Sequence, residues 1–182
     1  GSSDLTGRGC APTSIQWTYD SYALANVAGR AALRAGGDSW FFVAADDAFG
    51  AALERDAAEV VTADGGRVVG AVRHAPGAPD FTPLLRQAQA SGAKVVALAN
   101  AGGDTSNAVR QAADIGLARG GQKLLALLMQ ITDAHAVGLK DAQGLLVADA
   151  FYWDRNDGSR AFAKAFFDRM GRMPTAIQAG LY

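Results

Sequence analysis

The chain has 182 residues, 49% hydrophobic and 19% charged, with a net charge of −1, the composition of one globular domain with a single sizeable core. Near-neutral charge, with no basic cluster interleaved with aromatics, argues against nucleic acid as a partner, and no apolar run approaches the length that spans a bilayer. The lone cysteine, Cys10, has no companion for an intramolecular disulfide or a metal site and reads as a small, half-buried hydrophobe.

Residues 1–18 carry turn chemistry without a period and read as loop. The spacing then predicts a helix from Asp20 to Ala35, with Leu24, Val27, Ala28, Ala31 and Ala32 facing inward and Gly36-Gly37 as its stop. Trp40 to Ala45 is an unbroken apolar run, as expected of a parallel strand buried on both faces. Asp46-Asp47 ends it, and Phe49, Ala52, Leu53, Ala57, Val60 and Val61 mark the next helix. Val68 to Val72 is the second strand. A loop from His74 to Pro79 leads to Asp80, which caps a helix carrying Phe81, Leu84, Leu85 and Ala88.

Val95 to Ala99 is the third strand. Asn100, Gly102 and Gly103 break it, and Asp104 or Thr105 is expected to cap the helix that ends near Gly116. Leu124 to Met129 reads as strand four, Thr132 to Val137 as a short helix and Leu145 to Ala148 as strand five. The last full helix, near Ser159 to Met170, carries Phe162, Phe166, Phe167 and Met170, and a further helix opens after Pro174.

Strands alternating with helices imply parallel pairing through crossovers, hence a doubly wound, three-layer α/β/α sandwich. A flavodoxin-like order 2-1-3-4-5 is expected. It places the switch point between strands one and three and sets the Ala45–Phe49 turn beside the Asn100–Thr105 turn. Ligands of open α/β sheets bind outside the carboxyl ends of the strands, so these two turns form the candidate site.

The chemistry there points to binding rather than catalysis. There is no G-x-G-x-x-G after a strand, no P-loop lysine, no G-x-S-x-G elbow and no H-E-x-x-H. His74 and His135 lie in separate connections without a nearby nucleophile and read as surface or capping residues. For the two carboxylates after strand one, Asp46 is expected to cap the next helix and Asp47 to favour its dipole, roles compatible with ligand contact. Asn100, Ala101, Gly102, Asp104 and Thr105 form the second turn, in which the Asn100 amide faces the crevice and the Gly102-Gly103 amides suit a carboxylate or a phosphate. Gln130, Thr132 and Asp133 rim the site after strand four. Tyr152 and Trp153 cover the core edge, with an aromatic ligand wall as the alternative.

Several blocks bear a family likeness. W-F-F-V-A-A-D-D-A-F-G (Trp40 to Gly50), D-F-T-P-L-L (Asp80 to Leu85), A-N-A-G-G-D-T-S-N-A-V-R-Q-A (Ala99 to Ala112), A-Q-G-L (Ala142 to Leu145) and Y-W-D (Tyr152 to Asp154) occur in one register. Together they resemble periplasmic substrate-binding proteins of the branched-chain amino acid ABC transporter class. The resemblance implies two α/β lobes joined by crossing segments, with a small ligand clamped between them. On that pattern residues 37–172 are the second lobe, 1–36 a first-lobe loop and crossing helix, and 173–182 a return crossing. The Ser2-Ser3 stretch resembles a binding loop of the first lobe, which is expected to be missing here.

Carried over position by position, the ligand contacts implied are Asp46, Asp47 and Phe49, Asn100 to Thr105, and Gln130 to Thr132. The family's tyrosine after the first aspartate is Asp47 here, which moves the expectation away from a strictly aliphatic amino acid. The function implied is extracytoplasmic, most simply periplasmic, capture of an amino acid or related small carboxylate for an ABC permease. It needs no cofactor or metal. A ligand-sensing receptor domain and an α/β enzyme are the alternatives.

Overall fold

Helices cover both faces of a parallel sheet, and that is why its central strands read as continuous apolar runs. In the computed structural model, which describes residues 1–182, the strands are Ser39–Ala45 (β1), Arg67–His74 (β2), Val95–Ala99 (β3), Lys123–Ala126 (β4) and Leu146–Val147 (β5). All pairs are parallel and the order is β2-β1-β3-β4-β5. Every residue of β1 and β3 is buried. Strand β2 is an edge and is mostly exposed.

The helices are Ser21–Arg34 (α1), Ala48–Ala63 (α2), Thr82–Ala90 (α3), Gly102–Asp114 (α4), Ile131–Val137 (α5), Asp157–Met170 (α6) and Ala176–Leu181 (α7). Alternate side chains of β1 point to opposite layers. Trp40, Phe42 and Ala44 pack with Leu24, Leu53, Ala57 and Val61 of α1 and α2. Phe41 and Val43 pack with Leu85, Ala108, Val109 and Val137 of α3, α4 and α5. The Trp40 indole, fully buried, donates to the Gly37 carbonyl at 2.8 Å, so its polar edge is satisfied.

Several local expectations need correction. The inner face of α1 is Leu24, Ala25, Ala28, Gly29 and Ala32. Val27 is 62% exposed and Ala31 is also outside, because the buried stripe is set by close approach of α1 to α2 at small residues. Strand β4 stops at Ala126 and the chain continues as irregular backbone to Met129. Phe167 and Met170 are exposed, since α6 buries only Ala163 fully. Tyr152 stands half in water and does not cover the core. Cys10 lies in an exposed loop.

Asp47, not Asp46, caps α2, accepting from the Gly50 amide at 2.7 Å; Asp46 is left exposed. Neither Asp104 nor Thr105 caps α4, whose N-cap is Ala101 with no side-chain bond. The helix begins at Gly102, three residues before the start that an Asp104 cap would give, and Gly102 makes the turn into it at φ +60°, a left-handed geometry that glycine takes without strain.

A buried ionic node ties the N-terminal segment to this body. The Asp56 carboxylate accepts from the hydroxyls of Ser3 (2.7 Å) and Ser21 (2.5 Å) on one oxygen and from the Arg55 guanidinium (2.7 Å) on the other. Arg55 also reaches Asp4 at 3.3 Å. The Arg8 guanidinium, then Arg55, holds the Asp4 carboxyl below its usual range, and the Asp56 carboxylate raises the pKa of Arg55.

Two stability outcomes follow. Asp56→Ala leaves Ser3, Ser21 and Arg55 without their shared acceptor, and urea unfolding is expected to show a loss of about 3 kcal/mol. Gly50→Ala is expected to cost about 1–3 kcal/mol, since its new methyl would stand 2.3 Å from the Ala45 carbonyl oxygen; an unchanged midpoint would contradict the close approach of α2 to the end of β1.

Candidate functional site

The carboxyl ends of β1 and β3 are adjacent, with Ala44 opposite Ala99, so the turns that follow them sit side by side at the switch point. Asp46 and Asp47 stand exposed on the first turn, and the Phe49 ring is half-buried below them against the α1–α2 layer. On the second turn Ala101, Gly102 and Gly103 are exposed. Thr132 is partly exposed on α5, the helix that follows β4.

Asn100 proves to be an internal strut. It is 1% exposed. Its side-chain amide lies 3.1 Å from His74 Nε2, and its carbonyl oxygen accepts from the Thr105 hydroxyl at 2.7 Å. His74, expected at the surface, is 5% exposed and stacks edge-on against Phe81. Its Nδ1 faces the Ala75 carbonyl at 3.0 Å. Asp104 turns back from the helix start and accepts the Gly77 amide on both oxygens, at 3.0 and 3.1 Å. Asn100, Asp104 and Thr105 therefore brace the wall, while Ala101 to Gly103 form its surface.

Gln130 is the N-terminal neighbour of α5, whose first turn is closed by the Asp133 carboxylate accepting from the Gln130 amide at 3.1 Å. Both polar atoms of the Gln130 side chain are buried without a hydrogen-bond partner. Such orphans are uncommon, since each forfeits its hydration.

Two residues of this edge have no counterpart among the residues expected from the sequence. Tyr19, like Phe49 and Leu128, is partly buried against the α1–α2 core layer. Burial lifts its phenol above the ordinary value, with Asp149 and then Asp133 raising it further. Asp149 follows β5, and burial raises its carboxyl against the lowering effect of the Phe151 and Ala150 amides, although the residue keeps one side in water. The strand-end rule that selected Asp46 and Gln130 applies equally to Asp149. Tyr19 sits in loop sequence with no period to expose it. Ser2 and Ser3 lie apart from the two turns: Ser2 accepts from the Asp4 amide at 3.2 Å, and Ser3 is engaged with Asp56. The neighbouring Gly1 nevertheless reaches the rim, where an added methyl would stand 3.6 Å from the Tyr19 ring and 3.7 Å from Phe49.

The loops that follow the strand ends carry charge of one sign, with Arg73 inside β2 paired to Glu54 of α2 at 2.8 Å. Asp46, Asp47, Asp104, Asp133 and Asp149 follow the ends of four strands, and no lysine or arginine occurs in residues 46–51, 75–85, 100–106, 127–134 or 148–154. Arg67, Lys94 and Lys123 stand at the opposite ends of their strands. No group of three or more His, Cys, Asp or Glu side chains is arranged to hold a metal ion. A cavity of about 350 Å³ lies at that opposite end, between the last turn of α4 and the α5–β5 connection, with Arg119, Lys140, Asp114 and Asp141 at its mouth.

The sequence profile described as "Periplasmic binding protein" matches residues 1–182. A search of curated proteins returns no match. Among solved structures, a periplasmic binding protein from Burkholderia mallei is 47% identical with a TM-score of 0.92, over 99% of this chain and 48% of that one. A branched-chain amino acid ABC transporter periplasmic ligand-binding protein from Burkholderia xenovorans LB400 is 35% identical with a TM-score of 0.88, over 97% and 47%. A solute-binding protein of an ABC transporter from Rhodopseudomonas palustris, solved with benzoate, shares the fold at 21% identity and a TM-score of 0.85, over 97% and 48%. The chain thus spans about half the length of the solved relatives it matches. With the strand order, the whole-chain profile match and 47% identity in agreement, this chain belongs to the periplasmic binding protein family.

Proposed function

We propose that the chain supplies one wall of a solute-binding protein that captures an amino acid or a closely related small solute for an ABC importer. The observation that carries this reading is the cation-free acidic edge over a half-buried aromatic floor. A carboxylate exposed beside an apolar surface attracts an ammonium group, and Asp46, Asp133 and Asp149 are placed for that role. Asp47 keeps a free oxygen beyond its cap. The exposed backbone of the Ala101–Gly103 turn at the start of α4 suits the ligand's carboxylate. The Tyr19 and Phe49 rings would carry an apolar side chain.

A single wall cannot enclose such a ligand, since small-molecule sites bury most of the ligand surface. The second wall in this reading is another lobe, clamped by closure about crossing segments. Two features support it. The solved relatives are about twice as long as this chain. Thr18 and Gly180 meet where the N-terminal segment passes α7, and both segments carry exposed apolar side chains, Ile15 and Trp17 on one and Ile177, Leu181 and Tyr182 on the other. Contacts made only in the closed state would shift the open–closed equilibrium, and an ABC permease would recognise the closed form in the periplasm. The reading is non-catalytic: the edge offers carboxylates without a nucleophile and base in contact.

Calorimetry on the two-lobed protein against amino acids and aromatic or aliphatic carboxylates is expected to find a binder among the amino acids, and no heat across the panel would overturn the reading. This chain alone is expected to bind the same solute more weakly than about 1 mM, because half the contacts are lost; micromolar binding by the chain alone would contradict the two-walled site.

Asp149 also gives a pH signature. A carboxyl whose pKa is raised on folding contributes stability below its unfolded pKa and loses it as pH rises through the folded value. Asp149→Asn removes that loss. Its melting temperature is expected to match the parent below about pH 3.5 and to exceed it increasingly above about pH 5, while ligand affinity at neutral pH falls about tenfold. A gap in melting temperature that is constant with pH would contradict a carboxyl held above its ordinary range on folding.

A further inference from the structure

Asn100 can be oriented two ways, and its neighbours decide which. The Ala75 carbonyl 3.0 Å from His74 Nδ1 can only accept, so Nδ1 carries a proton. In the neutral ring Nε2 is then an acceptor, and Asn100, 3.1 Å away, must present its NH₂ to it. That leaves the Asn100 carbonyl oxygen to accept the Thr105 hydroxyl at 2.7 Å in the first turns of α4. Asp104, from the same turn, holds the Gly77 amide just beyond His74 and lies 3.9 Å from Nδ1. One direction of donation thus runs from Thr105 to Asn100, from Asn100 to His74 and from His74 to the β2 end. All three side chains are buried, where water cannot repair a broken link.

We propose that His74 is a positioning residue for the ligand wall. Through its Nδ1–H tautomer it fixes the Asn100 amide, and through Asn100 and Thr105 it holds the Ala101–Gly103 turn and the start of α4 in the shape presented to the crevice. The link is between elements that share no sequence neighbourhood: His74 closes β2, Asn100 follows β3, and the two strands are separated by β1. The His74 ring itself is buried, so it shapes the site without touching a ligand. Its consequence for affinity rests on the binding function proposed above, whereas its consequence for the turn does not.

The test is ligand-free heteronuclear NMR on the chain, with affinity measured separately on the two-lobed protein. Wild type is expected to show the Nδ1–H tautomer at His74. His74→Phe keeps the ring against Phe81 but offers no nitrogen, and is expected to shift the amide resonances of Ala101 to Thr105. His74→Gln restores an acceptor toward Asn100 and is expected to return them toward wild type. In the two-lobed protein His74→Phe is expected to weaken the solute found by calorimetry about tenfold, with recovery in His74→Gln. An Nε2–H tautomer in wild type would overturn the proposal, as would unshifted Ala101–Thr105 resonances in His74→Phe. Should His74→Phe fail to fold, the wild-type tautomer and Thr105→Val, which cuts the same chain at its other end, decide the matter by the same resonances. Absence of any solute binding in wild type would strike the proposed function and leave these NMR outcomes standing.

Discussion

The paired burial of β1 and β3 governs the rest of this molecule. Both strands are enclosed by helices on two faces and by strands on two sides, and their side chains are apolar except at the very start of β1, where the Ser39 hydroxyl accepts from the Lys94 amide at 3.0 Å. Polar groups are admitted only where the strands end, and parallel pairing puts those ends at one edge. Ala44 opposite Ala99 therefore brings Asp46-Asp47 and Asn100–Gly103 together although they are more than fifty residues apart in sequence. The candidate site is a consequence of strand order before it is a consequence of any particular side chain.

Edge location alone does not make a residue a contact. Asp46 and Asp149 stand exposed beyond the ends of β1 and β5. Asn100 and Thr105 occupy the same turn or its helix and are consumed in holding it, and Asp47 spends one oxygen on the α2 cap. This division is economical in a sheet of this kind. The amides freed at a strand end must be matched by something, and side chains that match them inward leave the turn's own backbone to face outward.

Much of the fold was legible in the sequence because Trp40–Ala45 and Val95–Ala99 are apolar without interruption and each of the first four helices stops at a glycine, paired at Gly36-Gly37 and Gly65-Gly66 and single at Gly92 and Gly116. Those two features imply parallel crossovers, and the order 2-1-3-4-5 follows. The failures are local and share a cause. Asp46 and Asp47 are chemically identical and adjacent, so the choice of cap is made by how Gly50 meets the Ala45 carbonyl, a tertiary fact. His74 reads as a loop residue because its partner Asn100 lies 26 positions away. Val27 fits the helical period of α1 but faces solvent, since the sheet is approached by the small residues beside it. Tyr19 belongs to a segment with no period and is placed by packing against the α1–α2 core layer. The family likeness covers the turns and carries no information about which turn residues are turned inward.

The account stands or falls on the acidic carboxyl edge being the ligand wall, with the cavity beside Arg119 and Lys140 playing no part in solute capture. The most direct measurement is an amide chemical-shift map of the chain titrated with an amino acid mixture to concentrations several times the weak dissociation constant expected of a single wall. Saturable shifts confined to residues 46–49, 101–105, 130–133 and 148–150 are predicted. Shifts clustered instead at residues 112–119 and 140–145 would place the solute at the opposite end of the sheet and contradict the account.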